Sequence, residues 1–217
     1  MASKGLFISF EGSEGCGKST QIERLATRFR DSGREVVTLR EPGGCPLGEK
    51  IRDLLKFDPA GDGMSAEAEL LLFVASRAQL VREVIRPALD RGAIVLCDRF
   101  LDSTTVYQGV ARAIAPDTVA SVNAFATGGT LPKVTLLLDL DAAEGRRRAA
   151  SRKGPTDRME QEQEEFYEAV RRGYLDLAVA ESSRIAVIDA SGDIDAVGAS
   201  IMAALSERLK GECHGLL

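Results

Sequence analysis

The sequence is poor in the residues that build metal centres, disulfides and acid–base machinery. Its 217 residues include one histidine, His214, in a polar tail, which leaves no histidine-based zinc set and no well-placed imidazole base. Its four cysteines, Cys16, Cys45, Cys97 and Cys213, have no C-x-x-C spacing and fit reduced thiols in a cytoplasmic setting. Cys213 beside His214 could suggest a nucleophile and its base, but a frayed chain end is the reading favoured there. No apolar run approaches the ~20 residues of a membrane span. The N-terminal stretch shows no signal-peptide pattern, since its apolar part stops at Glu11. Basic residues are not in excess: 28 Lys and Arg against 33 Asp and Glu give a net charge of -5, which argues against a nucleic-acid coat. A local cationic site for small anions remains compatible with that total.

What is present is a globular composition, 44% hydrophobic and 28% charged, without repeats or Ser/Gly linkers, and one domain is expected over residues 1–217. Short apolar runs alternate with helical patterns. Strands are expected at 5–10, 35–39, 93–97, 134–138 and 184–188. Helices are expected at 18–32 with Gly33 as the stop, at 47–56, and at 65–91, kinked or split by Pro87. Nearly all-apolar strands separated by helices imply a parallel sheet covered on both faces, an α/β fold whose ligand lies at the carboxyl ends of the strands.

After the first strand comes Gly12-Ser13-Glu14-Gly15-Cys16-Gly17-Lys18-Ser19-Thr20, a complete G-x-x-x-x-G-K-[ST] motif between a strand and a helix. Glycines let successive N–H groups turn toward phosphate oxygens, and the helix start adds its positive end. Lys18 supplies a charge toward the β- and γ-phosphates, and Ser19 a hydroxyl for Mg²⁺. The third strand ends in Asp98-Arg99, an acid suited to Mg²⁺ beside a guanidinium suited to an acceptor phosphate. After the fourth strand, Arg146, Arg147, Arg148, Arg152, Lys153 and Arg158 cluster around Gly154-Pro155, and a short basic lid is expected over about 146–158. A guanine-reading N-K-x-D motif is excluded, because the one asparagine is Asn123 in Val-Asn-Ala-Phe. A kinase for a nucleoside monophosphate or a deoxynucleoside, and a non-kinase nucleotide-binding module or switch, both remain compatible with the phosphate loop alone.

Four segments carry a family resemblance that extends from Phe7 to about Ile188. They are the stretch 10–20, Arg40-Glu41-Pro42-Gly43-Gly44, Asp98-Arg99-Phe100 with Ser103-Thr104 and Tyr107-Gln108-Gly109, and Asp157-Arg158-Met159-Glu160-Gln161-Glu162. On these the sequence resembles the bacterial thymidylate kinases with a basic lid. The resemblance implies a P-loop NTPase fold with a five-stranded parallel sheet, and phosphorylation of dTMP to dTDP by Mg-ATP in dTTP synthesis. It also implies a cytoplasmic homodimer. By the same resemblance Phe73 stacks on thymine, Arg77 reaches a base carbonyl and Thr104 bonds the base edge. Gln108 joins that set, Tyr107 packs near the sugar, Glu14 lies near it, and Arg99 holds the dTMP phosphate. Lys18 and the lid cations Arg148, Arg152 and Lys153 complete the implied catalytic set. Phe100 stands where His or Tyr is usual, and Ala111 and Ala113 where glycines often flank Arg112.

Overall fold

The computed structural model of the chain describes residues 5–150 and 163–210. Five strands, β1 (Leu6–Glu11), β2 (Val36–Arg40), β3 (Ile94–Asp98), β4 (Val134–Asp139) and β5 (Ile185–Asp189), form one parallel sheet in the order β2-β3-β1-β4-β5. The helices are α1 (Lys18–Asp31), α2 (Pro46–Lys56), α3 (Ala66–Leu80), α4 (Arg86–Asp90), α5 (Leu101–Thr104), α6 (Pro116–Thr127), α7 (Ala142–Ala150), α8 (Glu164–Ala180) and α9 (Ile194–Arg208). None of the described helices is long and apolar enough to cross a membrane.

Alternation along the central strand sets the two layers. Leu6, Ile8 and Phe10 pack with α1 and α9 around Ile22, Phe29 and Ile201. Phe7 points the other way, with Val95 and Cys97, against Leu80, Ile85 and Ala88. Burying each of these large side chains contributes about 1.5–3 kcal/mol. The expectation of wholly buried strands holds for β1, β3 and β4, apart from the half-exposed aspartates that end β3 and β4. It fails for β2 and β5, which are half-exposed because they form the sheet edges.

Each strand runs one residue further toward its carboxyl end than its apolar stretch suggests. Glu11, Arg40, Asp98, Asp139 and Asp189 still pair in the backbone ladder, with Arg40 opposite Asp98 and Asp139 opposite Asp189. The polar edge is therefore part of the sheet, and the backbone that carries its side chains is fixed by the ladder.

The long helix expected over 65–91 starts on Ser65, whose hydroxyl accepts the Ala68 N–H at 3.3 Å. It is divided by a π-helical turn at Val81–Ile85, one turn ahead of Pro87. Proline has no N–H to give and its ring crowds the carbonyl four residues back, so the helix widens there. A second π-helical stretch, Thr105–Ala111, continues α5. It is packed against α8 across Gly173, where an added Cβ would lie 3.2 Å from Val106 and Val110.

Candidate active site

The loops after β1, β2 and β3 meet at the carboxyl edge of the sheet around a cavity of about 270 Å³. One end is the phosphate loop, with Gly15, Lys18 and Ser19. The other is walled by Phe73, Thr104, Tyr107 and Gln108, and Arg99 and Glu14 lie between. A small organic anion fits such a space, which sits just below the usual range of ~300–1,000 Å³ for ligand pockets.

The phosphate loop leaves β1 through Gly12 at φ 130 and turns again at Gly15, φ 78, values that side-chain-bearing residues rarely adopt. At Gly12 a Cβ would lie 2.4 Å from the Leu138 carbonyl, and at Gly15 it would lie 2.0 Å from that of Gly145 on α7. Lys18 Nζ donates to the Gly12 and Ser13 carbonyls at 2.9 and 2.8 Å, folded along its own loop. Ser19 Oγ donates to Asp98 Oδ2 at 3.0 Å. A hydroxyl and a carboxylate at this separation are hard oxygen donors that fit Mg²⁺, an ion that takes its remaining ligands from phosphates and water.

Arg99 is held in a left-handed conformation, φ 68, uncommon for a bulky residue and costing about 1–3 kcal/mol. Two hydrogen bonds impose it: Arg99 N–H donates to the Phe10 carbonyl at 2.9 Å, and Phe100 N–H to Glu11 Oε1 at 2.7 Å. The guanidinium donates to Glu14 at 2.7 Å and to Ser103 and Tyr174 at 3.2 Å each, and lies 5.0 Å from the Tyr107 ring centroid. Burial pushes the Glu14 carboxyl up, but Arg99 and Lys18 more than offset it and leave it below the ordinary value. Glu11 is different. Burial and the charge of Asp102 raise it to about 7, against hydrogen bonds from Ser103 and Phe100 and the charge of Arg99. Burial likewise lifts the Tyr107 and Tyr174 hydroxyls well above their usual range, so both are neutral donors here.

Most expected site residues converge. Phe73 is half-buried, belongs to none of the apolar clusters and lines the cavity. Arg77 is the exception at the end walled by Phe73 and Thr104. It is 1% exposed and does not line the cavity. Its Nε and Nη2 donate to Glu41 Oε2 at 2.8 and 2.6 Å, its Nη1 to Thr104 and Asn123 at 3.0 and 2.7 Å, and Nη2 also to the Phe100 carbonyl at 3.1 Å. All five of its N–H groups are committed to these partners, and through Thr104 it supports the cavity wall from beneath.

Arg148 also departs from its expected place. The stretch 146–150 belongs to α7, and Arg148 donates to Glu144 at 2.7 Å and to the Ala190 and Ser191 carbonyls at 3.2 and 3.4 Å, at the end of β5. The i,i+4 spacing on α7 joins it to Glu144. Arg152, Lys153 and Arg158, with residues 151–158 of the expected lid, lie outside the described residues, as do Cys213 and His214. The three remaining cysteines are free and buried.

Sequence patterns missed several participants. Tyr174 reaches Arg99 from α8, 75 residues away, with no local signal. Arg40, Arg52 and Lys56 line the cavity. The i,i+4 spacing of Arg52 and Lys56 was the available clue. Glu11 was flagged only by being charged at the end of an apolar strand. Phe100 is a core residue, fully buried with its ring 4.9 Å from that of Phe7, so the departure at that position does not touch the cavity.

The family model for thymidylate kinase matches residues 10–201. The chain belongs to the thymidylate kinase family. It is 51% identical over 206 residues to a thymidylate kinase of Deinococcus radiodurans, covering 95% of this chain and 98% of that one. It is 48% identical to one of Pseudomonas putida, covering 97% and 99%. The crystal structure of thymidylate kinase from Ehrlichia chaffeensis superposes with a TM-score of 0.75 at 32% identity, covering 93% of this chain and 99% of that chain. Membership in this family explains why the strand ends carry Arg-Glu-Pro-Gly-Gly and Asp-Arg rather than the switch motifs of a GTPase.

Proposed function

We propose that this thymidylate kinase family member transfers the γ-phosphoryl group of ATP to dTMP, giving ADP and dTDP, as a cytoplasmic homodimer. The observation that carries the reading is one cavity shared by a complete phosphate loop and a nucleoside-sized wall, with Arg99 at the junction. Phe73 offers a ring face for stacking, and Thr104 and Gln108 offer polar edges. Tyr107, with its hydroxyl bonded to Glu14 at 3.1 Å, closes the sugar side. Arg99 takes the acceptor phosphate, and Glu14 is its surrogate anion until that phosphate arrives. Lys18 exchanges the two loop carbonyls for phosphate oxygens. Ser19 and Asp98 would hold Mg²⁺, which supplies charge neutralisation on the phosphates. The acceptor oxygen is already anionic, so positioning and charge account for the acceleration and no strong base is required. Arg152 and Lys153 are the lid cations assigned to the transferring group.

Following ADP formation from Mg-ATP with dTMP, dUMP, dCMP, dGMP, AMP and thymidine tests the reading. The expected outcome is strong turnover with dTMP, weak turnover with dUMP and at most a trace with the others. Lys18→Ala should lower turnover by orders of magnitude while the protein stays folded. Turnover with a different acceptor discards the base-reading residues, and tight ATP binding without any acceptor-dependent turnover makes the protein a switch or binding module.

A further inference from the structure

Gln108 is a carboxamide with a fixed polarity. It is 1% exposed and lines the nucleoside end of the cavity. Its Nε2 donates to Glu69 Oε1 at 2.8 Å. Glu69 is itself held by Arg112, whose Nε and Nη2 reach the two carboxylate oxygens at 3.4 and 3.3 Å, and whose guanidinium lies 5.1 Å from the Phe166 ring centroid. An ionised carboxylate only accepts hydrogen bonds, so it dictates which end of the amide faces it. The NH₂ end must point to Glu69. The carbonyl end, Oε1, accepts no hydrogen bond among the described residues and is left for whatever fills the cavity, with the second Nε2 hydrogen beside it.

We propose that Glu69 is the specificity-determining positioning residue of this site: by locking the Gln108 amide it selects a base whose edge presents a ring N–H toward Oε1 and a carbonyl toward Nε2. Thymine and uracil present that edge at N3–H and a neighbouring C=O. Cytosine presents an unprotonated ring nitrogen at the same place, which would meet Oε1 acceptor to acceptor. An amide free to rotate could serve either base, and a buried mismatch of this kind is what gives a hydrogen-bonding site its discrimination. Glu69 reaches the base only through Gln108. The assignment rests on the dTMP reading above.

The test is Glu69→Gln, which keeps size but can donate as well as accept, and so lets Gln108 turn over. Steady-state kinetics with dTMP and dCMP are measured for both proteins, with thermal denaturation in parallel. The ratio of kcat/KM for dTMP over dCMP should fall at least about tenfold, through a raised KM for dTMP more than a lowered kcat. In a Gln108→Leu background the same substitution should leave the ratio unchanged. If Glu69→Gln does not fold, Arg112→Met, which loosens Glu69 from its more exposed side, should move the ratio in the same direction. An unchanged ratio in the folded variant, or an equal fall in both acceptors, overturns the proposal. Absence of dTMP turnover in the unaltered protein is a separate result, because it removes the dTMP reading itself.

Discussion

Replacing Arg77 with methionine isolates the buried ion pair beneath the cavity. Arg77 and Glu41 have side chains 1% and 3% exposed and meet at 2.6 Å. Methionine fills much of the volume but removes five donated hydrogen bonds and the cation. Glu41 Oε1 already lacks a hydrogen-bond partner, so the substitution would leave both carboxylate oxygens without Arg77. Breaking such a pair from one side costs about 3–5 kcal/mol. For a chain of this size each kcal/mol shifts Tm by about 2–4 °C, so a drop of roughly 6–20 °C is expected. Burial already pushes the Glu41 carboxyl above its ordinary value and Arg77 opposes that push, so its loss drives Glu41 further up. A carboxyl raised in the folded state contributes stability at low pH that is lost as pH rises. The deficit should therefore shrink as pH falls toward 5. Guanidinium denaturation and calorimetry at pH 5 and 8 read both effects. Adding Glu41→Leu should recover most of the stability, because no charge is then stranded. A single variant within about 1 kcal/mol of the parent, or a double variant no better than the single, would refute the reasoning.

Glu11→Gln removes the carboxyl that is raised to about 7 among Asp102, Ser103, Arg99 and Tyr174. The parent should lose stability relative to this variant as pH rises from about 5 to 8, by up to roughly 3 kcal/mol, which denaturation across that range checks. Ala113, at φ 56, occupies a left-handed position that suits glycine. Ala113→Gly should therefore stabilise the protein by about 0.5–1 kcal/mol, read as a small rise in Tm, and a fall in Tm would contradict the strain.

The phosphate loop could be read from the chain because its chemistry is local: glycines, Lys18 and Ser19 must be contiguous for backbone N–H groups to surround phosphate. Strand and helix positions were also legible to within a residue or two for β1, β3, α1 and α2, since period and punctuation are local too. The family motifs carried the remaining assignments as far as residue type. Which charged groups touch solvent, ligand or one another was not local. The family resemblance makes Arg77 a base contact, and the fold surrounds it with Glu41, Thr104, Asn123 and the Phe100 carbonyl, partners that the resemblance does not name. Those partners lie 23–46 residues away. Tyr174 reaches Arg99 only because Gly173 lets α8 close on the π-helical stretch. Glu69 orients Gln108 because α3 and that stretch are neighbours. Composition and spacing determine that a glycine-rich loop of the phosphate-binding pattern stands at the end of β1. Only the packing of distant helices decides which side chains face the acceptor, because hydrogen-bond partners and burial belong to the folded chain.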